Sequence, residues 1–357
     1  MGLYDRVADL SLVVSESHRT RRERDTSSGF TRLSTTFELA GLGVTGRGED
    51  VTYDAEDHEA LGTAPALVDA GGLPSGEYTV EGFSEALDDV DLFPTKDPER
   101  EASYHYRRWA VESAGLDLAL RQAETNLGEA LGREYRPVRF VTSARLGGED
   151  EEPSADRVET LLARVPDLEF KLDPTSAWSA DLIETLAATD AVRILDLKGH
   201  YEGTSVDQDP DVDLYERILT GFPEAVIEDP AVTEATRPLL VEAVDRLSWD
   251  APIAGVDDLD SLPFEPRWLN VKPSRFGTVR SLFETLEEAD RRGISLYGGG
   301  QFELGVGRRH VQLLASLFYP DGPNDVAPGE YNDPEPPENP PSSPLPAPTD
   351  VRGLGGE

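Results

Sequence analysis

Ala225-Val-Ile-Glu-Asp-Pro230 is an apolar run of strand length that stops on two acids and a proline. Proline cannot extend a β-ladder and the acids before it favour a turn, so the strand ends at Glu228. Outward from this stretch the same design recurs. Upstream lie Val138-Arg-Phe-Val141, Leu168-Glu-Phe-Lys-Leu172 and Val192-Arg-Ile-Leu-Asp196; downstream lie Pro252-Ile-Ala-Gly-Val256, Trp268-Leu-Asn-Val-Lys272 and Ile294-Ser-Leu-Tyr297. Apolar residues at helical spacing fill most intervals, at 155–162, 180–187, 213–219, 233–244 and 278–291, and 305–318 follows the last run. Short apolar runs alternating with helices argue for βα units around a parallel sheet. Seven runs, with an eighth strand at Asn324-Asp-Val-Ala327, predict a closed barrel whose chemistry sits where strands end and βα loops begin.

Those strand ends carry the scarcest residue of the chain. Four lysines occur among 33 basic residues, and Lys171, Lys198 and Lys272 stand at the ends of these runs. An ε-ammonium shifts its pKa readily on burial whereas a guanidinium stays charged, so lysine kept at strand ends reads as an amine site. In chain order the ends are Lys171, Asp196-Leu-Lys198, Glu228-Asp-Pro230, Asp257-Asp258 and Lys272-Pro-Ser274. Taken singly, Glu228-Asp-Pro230 fits ordinary turn chemistry and Asp257-Asp258 fits a helix N-cap. Taken together, three acids at one barrel mouth raise each other's pKa unless a cation joins them, and an all-oxygen set suits Mg2+. A metal that chelates a substrate carboxylate stabilises the enediolate left when the α-proton departs, and a lysine on either face removes or returns that proton.

Composition sets the frame around this site. The net charge of −37 is spread along the chain, which makes nucleic acid and anionic membrane unfavourable partners. Cysteine is absent, so thiolate nucleophiles and cysteine-ligated metals are excluded. Neither a signal-peptide core near Met1–Ser15 nor an 18-residue apolar span is present in the sequence, and the expectation is a cytoplasmic protein. Self-repulsion of this size is relieved by screening, which suggests a halophile; stability is expected to rise along a salt series, and greater stability at low salt would refute it. At the N-terminus, Leu10–Val14, Thr35–Leu39 and Leu42–Thr45 read as strands, Glu16–Ser28 as a polar, arginine-rich loop, and 84–93 and 103–131 as helices. The predicted organisation is an α+β unit over 1–133, the barrel over 134–328, and a disordered acidic tail over 329–357, where eight prolines fall between 334 and 348.

From about Phe30 to Pro328 the chain resembles the enolase superfamily, in its mandelate racemase and muconate-lactonizing branch. The resemblance implies an α+β capping domain on a modified TIM (β/α)7β barrel, with metal ligands ending the third to fifth strands and acid/base groups ending the second and the sixth or seventh. Asp196 in Ile194-Leu-Asp-Leu-Lys-Gly199 is similar to the third-strand ligand, Glu228 to the fourth, and Asp257 in Ala254-Gly-Val-Asp-Asp258 to the fifth. Lys272 in Asn270-Val-Lys-Pro-Ser274 is similar to the sixth-strand lysine and Lys171 to the second-strand base. Gly298-Gly-Gly-Gln-Phe-Glu-Leu-Gly305 resembles the seventh-strand turn, with Glu303 either facing substrate or capping a helix from Leu304, and Gly46-Arg-Gly-Glu49 resembles a capping-domain turn. The arginine-rich stretch is similar to a capping loop that closes over the barrel.

Two positions depart from the family pattern. Glu169 stands where the first of two second-strand lysines is usual, and Lys198 where asparagine is usual, which leaves Lys198 as a base, a substrate clamp or a partner of Glu228. Asp173, in Lys171-Leu-Asp-Pro-Thr-Ser-Ala-Trp178, offers a second register for the third-strand ligand. The resemblance implies a Mg2+-dependent lyase or isomerase acting on a small carboxylic acid by elimination, epimerisation or racemisation, or cycloisomerisation, in a homo-oligomer. The departures motivate a non-catalytic barrel as an alternative, and Lys198 or Lys272 a metal-independent Schiff-base lyase.

Overall fold

The computed structural model describes residues 2–147, 152–201, 204 and 206–355. The N-terminal unit pairs β1 (Ser11–Val14) antiparallel with β5 (Gly76–Thr79) and builds a meander from β2 (Glu16–Asp25), β3 (Thr31–Gly41) and β4 (Val44–Asp50). The arginine-rich stretch is therefore a strand and not the loop its composition predicts. It pairs with β3 from Glu16↔Ala40 to Asp25↔Thr31, yet nearly all its side chains face water, so no apolar alternation marks it. Charges along such an edge strand block pairing with other chains.

The 21-residue helix Ala102–Gln122 packs across this sheet. Gly46 and Gly48 lie in β4 rather than in a turn, and they are glycine because the helix backbone touches them. A Cβ at Gly48 would lie 1.9 Å from the Ala110 carbonyl oxygen.

Seven parallel strands follow in strict chain order: β6 (Val141–Ala144), β7 (Glu169–Leu172), β8 (Val192–Asp196), β9 (Val226–Glu228), β10 (Leu247–Trp249), β11 (Trp268–Val271) and β12 (Ser295–Gly298). Asn324 bridges Phe140 and Asp325 bridges Gly299, both in parallel, so residues 324–325 are the eighth stave that joins the two sheet edges. Val141, Ile194, Val226 and Tyr297 fill the barrel interior, while the larger apolar core lies between strands and helices and continues into the capping unit. All seven predicted strand positions are occupied except the fifth. The strand there is Leu247–Trp249, and the apolar Pro252–Val256 is a turn, buried at Ile253, leading into the 3-10 helix Val256–Ser261. Apolar character reflected burial, with Ile253 at 2 % exposure, rather than pairing.

The tail also differs from expectation, because its described residues, up to 355, dock on the protein. Leu345 bridges Val138, Ser343 Oγ accepts from the Phe140 N–H at 2.9 Å, and Leu354 is buried with its N–H donating to Asp117 Oδ1 at 2.7 Å. Prolines have no N–H to satisfy, and Arg157 and Arg164 donate to the carbonyls of Pro334, Pro336 and Pro337. Composition alone hides such a strap, since Tyr331, Leu345 and Leu354 supply its few anchors. Among the described residues no helix is long and apolar enough to cross a membrane.

Candidate metal and acid–base site

The βα fold delivers six carboxylates and four cationic side chains to the C-terminal mouth of the barrel. Lys171, on β7, places its Nζ 2.5 Å from Glu228 Oε1, 3.1 Å from Asp196 Oδ2 and 3.8 Å from Asp325 Oδ2. Lys198, two residues past the end of β8, touches Asp196 Oδ2 and lies 3.5 Å from Asp173. Glu228 also accepts from Asn270 Nδ2 at 3.1 Å and from the Tyr297 hydroxyl at 2.6 Å. Across the mouth, Asp250 immediately follows β10 and binds Lys272 Nζ at 2.7 Å, Arg275 Nε at 2.8 Å and the Tyr201 hydroxyl at 2.9 Å. Lys198 and Asp229 adopt φ of 53° and 47°, left-handed values for non-glycine residues, and such strain clusters at functional sites.

Burial sets the electrostatics and the charge pairs redirect them. Burial pushes the Asp196 carboxyl up, but Lys171 and Lys198 outweigh it and hold the group well below the usual carboxylate range. Glu228 goes the other way: burial and the Asp196 charge lift it to about 8 despite Lys171. Asp229 rises to about 7, through burial and the nearby Asp250 and Asp196. Burial alone would lower the three lysines, yet their carboxylate partners keep Lys171, Lys198 and Lys272 above the ordinary amine value.

Comparison with known proteins agrees with this architecture. The profile described as the N-terminal domain of a domain of unknown function, DUF8230, matches residues 5–130, and the C-terminal domain of the same family matches 134–333. The chain belongs to the DUF8230 family. No curated protein matches its sequence. Solved structures that resemble the DUF8230 chain are members of the enolase superfamily, and it has their fold. A dipeptide epimerase from Methylococcus capsulatus, complexed with Mg and the dipeptide L-Arg-D-Lys, is 17% identical with a TM-score of 0.66 over 90% of this chain and 92% of that one. An enolase superfamily member from Listeria innocua is 17% identical, TM-score 0.65, over 96% and 94%. Muconate lactonizing enzyme from Pseudomonas putida is 18% identical, TM-score 0.58, over 88% of each.

Set against the sequence reading, Lys171, Lys198, Lys272, Asp196 and Glu228 are brought together and Asp257 is not. Asp257 is exposed on the 3-10 helix Val256–Ser261, whose N-cap is Gly255 rather than either acid, and its neighbour Asp258 lies in the first turn and accepts from the Ala254 and Gly255 N–H groups. Asp250 occupies the fifth strand end instead. Its signal was present, an acid closing Leu247-Ser-Trp249, but a three-residue strand is shorter than the apolar run that follows. Arg275 and Tyr201 were also missed; Arg275 lies one helical turn past Lys272 in the short helix Pro273–Phe276. Asp173 is near the site through Lys198 without reaching the Lys171 pair.

Glu303 is buried and does not cap the helix that follows it. It accepts from the Gln301 N–H at 2.6 Å and pairs with Arg308 at 3.0 Å, while the helix Val306–Phe318 is capped by Glu49 of β4. Glu49 accepts from the N–H groups of Leu304, Gly305 and Gly307, which ties the capping unit to the barrel.

The residues present fit a divalent cation. Oxygens of Asp196, Glu228 and Asp229 lie within 4.8 Å of one another, in a donor set without nitrogen or sulfur. Asp173, Asp196, Glu228, Asp229, Asp250 and Asp325 outnumber Lys171, Lys198, Lys272 and Arg275 by two charges when all are ionised. Asp173 Oδ1 and Asn270 Oδ1 are buried beside this cluster without hydrogen-bond partners among the described residues. Asp229 also accepts from the Asp250 and Ala251 N–H groups at 2.8 and 2.9 Å, so it holds the turn that presents Asp250.

Gly299, just after β12, lies against the Lys272 side chain. A Cβ at Gly299 would meet Asn270 Oδ1 at 2.3 Å and Lys272 Cε at 2.8 Å. Gly299→Ala is expected to cost about 1–3 kcal/mol of stability in urea unfolding, as overpacking does, and to shift Lys272 from Asp250. An unchanged unfolding midpoint would show that the two side chains are not locked there.

Proposed function

We propose that this chain is a Mg2+-dependent enzyme that abstracts the proton α to the carboxylate of a small acid. The observation that carries the reading is the ring of Lys171, Asp196, Glu228 and Lys272 on the C-terminal ends of a barrel with this fold. The Mg in neighbouring structures, and the dipeptide in one, support a hard cation and a carboxylate-bearing substrate. In this reading Asp196, Glu228 and Asp229 would hold the cation, while Asp250, at the fifth strand end, fixes Lys272 and Arg275. When bound, Mg2+ would supply positive charge that stabilises an enediolate, and the residues that would hold it include Asp196 and Glu228, which pair with Lys171.

Lys171 and Lys272 approach a substrate from opposite strands, so one receives the α-proton and the other returns a proton or protonates a leaving group. That pair serves a lyase and an isomerase equally. Lys198 holds Asp196 and Asp173 in register, and Glu303, engaged by Arg308, has no part in substrate contact. Tyr297 and Asn270 orient Glu228. The acid-rich composition is read as that of a cytoplasmic protein from a high-salt cell.

Schiff-base chemistry gains no support, because Lys171, Lys198 and Lys272 are each ion-paired to a buried carboxylate. The direct ion pairs of Lys171 and Lys198 favour one second reading, a binding barrel in which amines replace the cation. Incubation with Mg2+ and a panel of dipeptides, hydroxy acids and sugar acids in D2O separates the two. Wild type is expected to exchange the α-proton of at least one acid, and Lys171→Ala and Lys272→Ala are expected not to. Exchange that survives in both variants would refute the acid–base assignment, and its absence in wild type together with absent Mg2+ binding would favour the second reading.

A further inference from the structure

The junction of capping unit and barrel holds a buried positive charge with no counter-ion among the described residues. Arg32, on β3, is 1 % exposed, and among the described residues it forms no ion pair. Its guanidinium donates only to carbonyls, those of Thr52 at 2.6 Å, Val51, and Gln301 at 3.0 Å, and its Nε has no partner. In a chain with 70 carboxylates this is unusual, since a buried charge is costly unless paired.

A second donor stands open beside it. Gln301 is also 1 % exposed; its Oε1 accepts from the Tyr53 hydroxyl at 2.9 Å, which fixes the amide, and its Nε2 has no partner among the described residues. The Arg32 guanidinium carbon lies 4.5 Å from the Tyr53 ring centroid, so the three side chains form one unit. Phe30 packs edge-on against Phe302 at 5.3 Å, and Phe302 has a φ of 55°, a strained value for a phenylalanine. This unit adjoins the proposed acid–base site. Gly299 packs on the Lys272 stem, two residues from Gln301, a span of at most about 7 Å. Lys272 and Arg275 both act on the Tyr53 hydroxyl electrostatically.

A water molecule satisfies free N–H groups but leaves the Arg32 charge uncompensated, whereas a carboxylate does both. We propose that Arg32, Gln301 and Tyr53 form a pocket for a second carboxylate, at the end of the substrate remote from the reacting carbon. The substrate class is then a dicarboxylate. This inference rests on the proposed function for where the first carboxylate binds, and it adds the distal anchor.

Calorimetric titration of the Mg2+-loaded protein with succinate, glutarate and adipate, against butyrate, valerate and hexanoate, tests it. At least one diacid is expected to bind tenfold or more tightly than its monoacid partner, and Gln301→Met is expected to reduce that ratio at least fivefold. Arg32→Met removes ties to Val51 and Thr52 and is expected to unfold more easily, so the decision rests on Gln301→Met, with Tyr53→Phe as the variant that frees the amide. Equal binding of each pair in wild type, no binding of any diacid, or an unchanged ratio in Gln301→Met would overturn the proposal. A separate Mg2+ titration distinguishes this failure from that of the underlying reading: Mg2+ binding retained without diacid preference sinks only the distal pocket.

Discussion

Lys171→Met is expected to destabilise the metal-free protein by about 3–5 kcal/mol, the range for breaking a buried ion pair by removing one partner. The amine is 1 % exposed and sits within 3.1 Å of both Asp196 and Glu228, so its loss leaves two buried carboxylates facing each other with only Lys198 on Asp196. The same substitution removes the competitor for those oxygens. Mg2+ is therefore expected to restore more stability to Lys171→Met than it adds to wild type, by mass action on the folded state. Urea unfolding with EDTA and with Mg2+ reads both effects. A cost below about 1 kcal/mol, typical of surface pairs, would mean that Lys171 is not the centre of the network.

Mg2+ binding is expected to tighten as pH rises toward 8 and to be lost in Asp196→Asn. Glu228 rises from 4.5 to about 8, and Asp229 from 3.8 to about 7, through burial first and neighbouring acids second. Each binds its proton more firmly folded than unfolded, so its contribution to stability is complete below the ordinary carboxylate range and is lost as pH climbs through the raised value. Asp196 has the opposite sign: burial raises it, Lys171 and Lys198 outweigh burial, and its contribution is lost as pH falls below the ordinary range. The joint contribution of these three groups is accordingly expected to be largest around the ordinary carboxylate range and to fall as pH rises toward about 8. A cation must displace the protons on Glu228 and Asp229, so affinity should change by about tenfold per pH unit for each proton released. Calorimetry between about pH 6 and about pH 8 measures the slope, and pH-independent affinity would contradict the assignment of these carboxyls.

The barrel was legible because a parallel strand buried on both faces leaves a short apolar run, and the acid or lysine that ends it marks the mouth. Asp196, Glu228, Lys171 and Lys272 were readable for that reason. Asp250 was not, because Leu247–Trp249 is too short to dominate its surroundings, while Ile253 beyond it is buried without pairing. Pairing partners, rather than composition, decide an edge strand such as Glu16–Asp25 and a proline-rich strap anchored by Leu345 and Leu354, and neither leaves a periodic signal. The lone charge of Arg32 is equally invisible, since the absence of a counter-ion is a property of the folded surroundings.

The central claim is that carboxylates from successive strand ends share one divalent cation. Anomalous diffraction from crystals grown with Mn2+, a stand-in for Mg2+ on oxygen ligands, tests it most directly. The account predicts one strong peak bounded by oxygens of Asp196 and Glu228, with Lys171 displaced from at least one of them. A map without a peak there, and with Lys171 still bridging both acids, would contradict it.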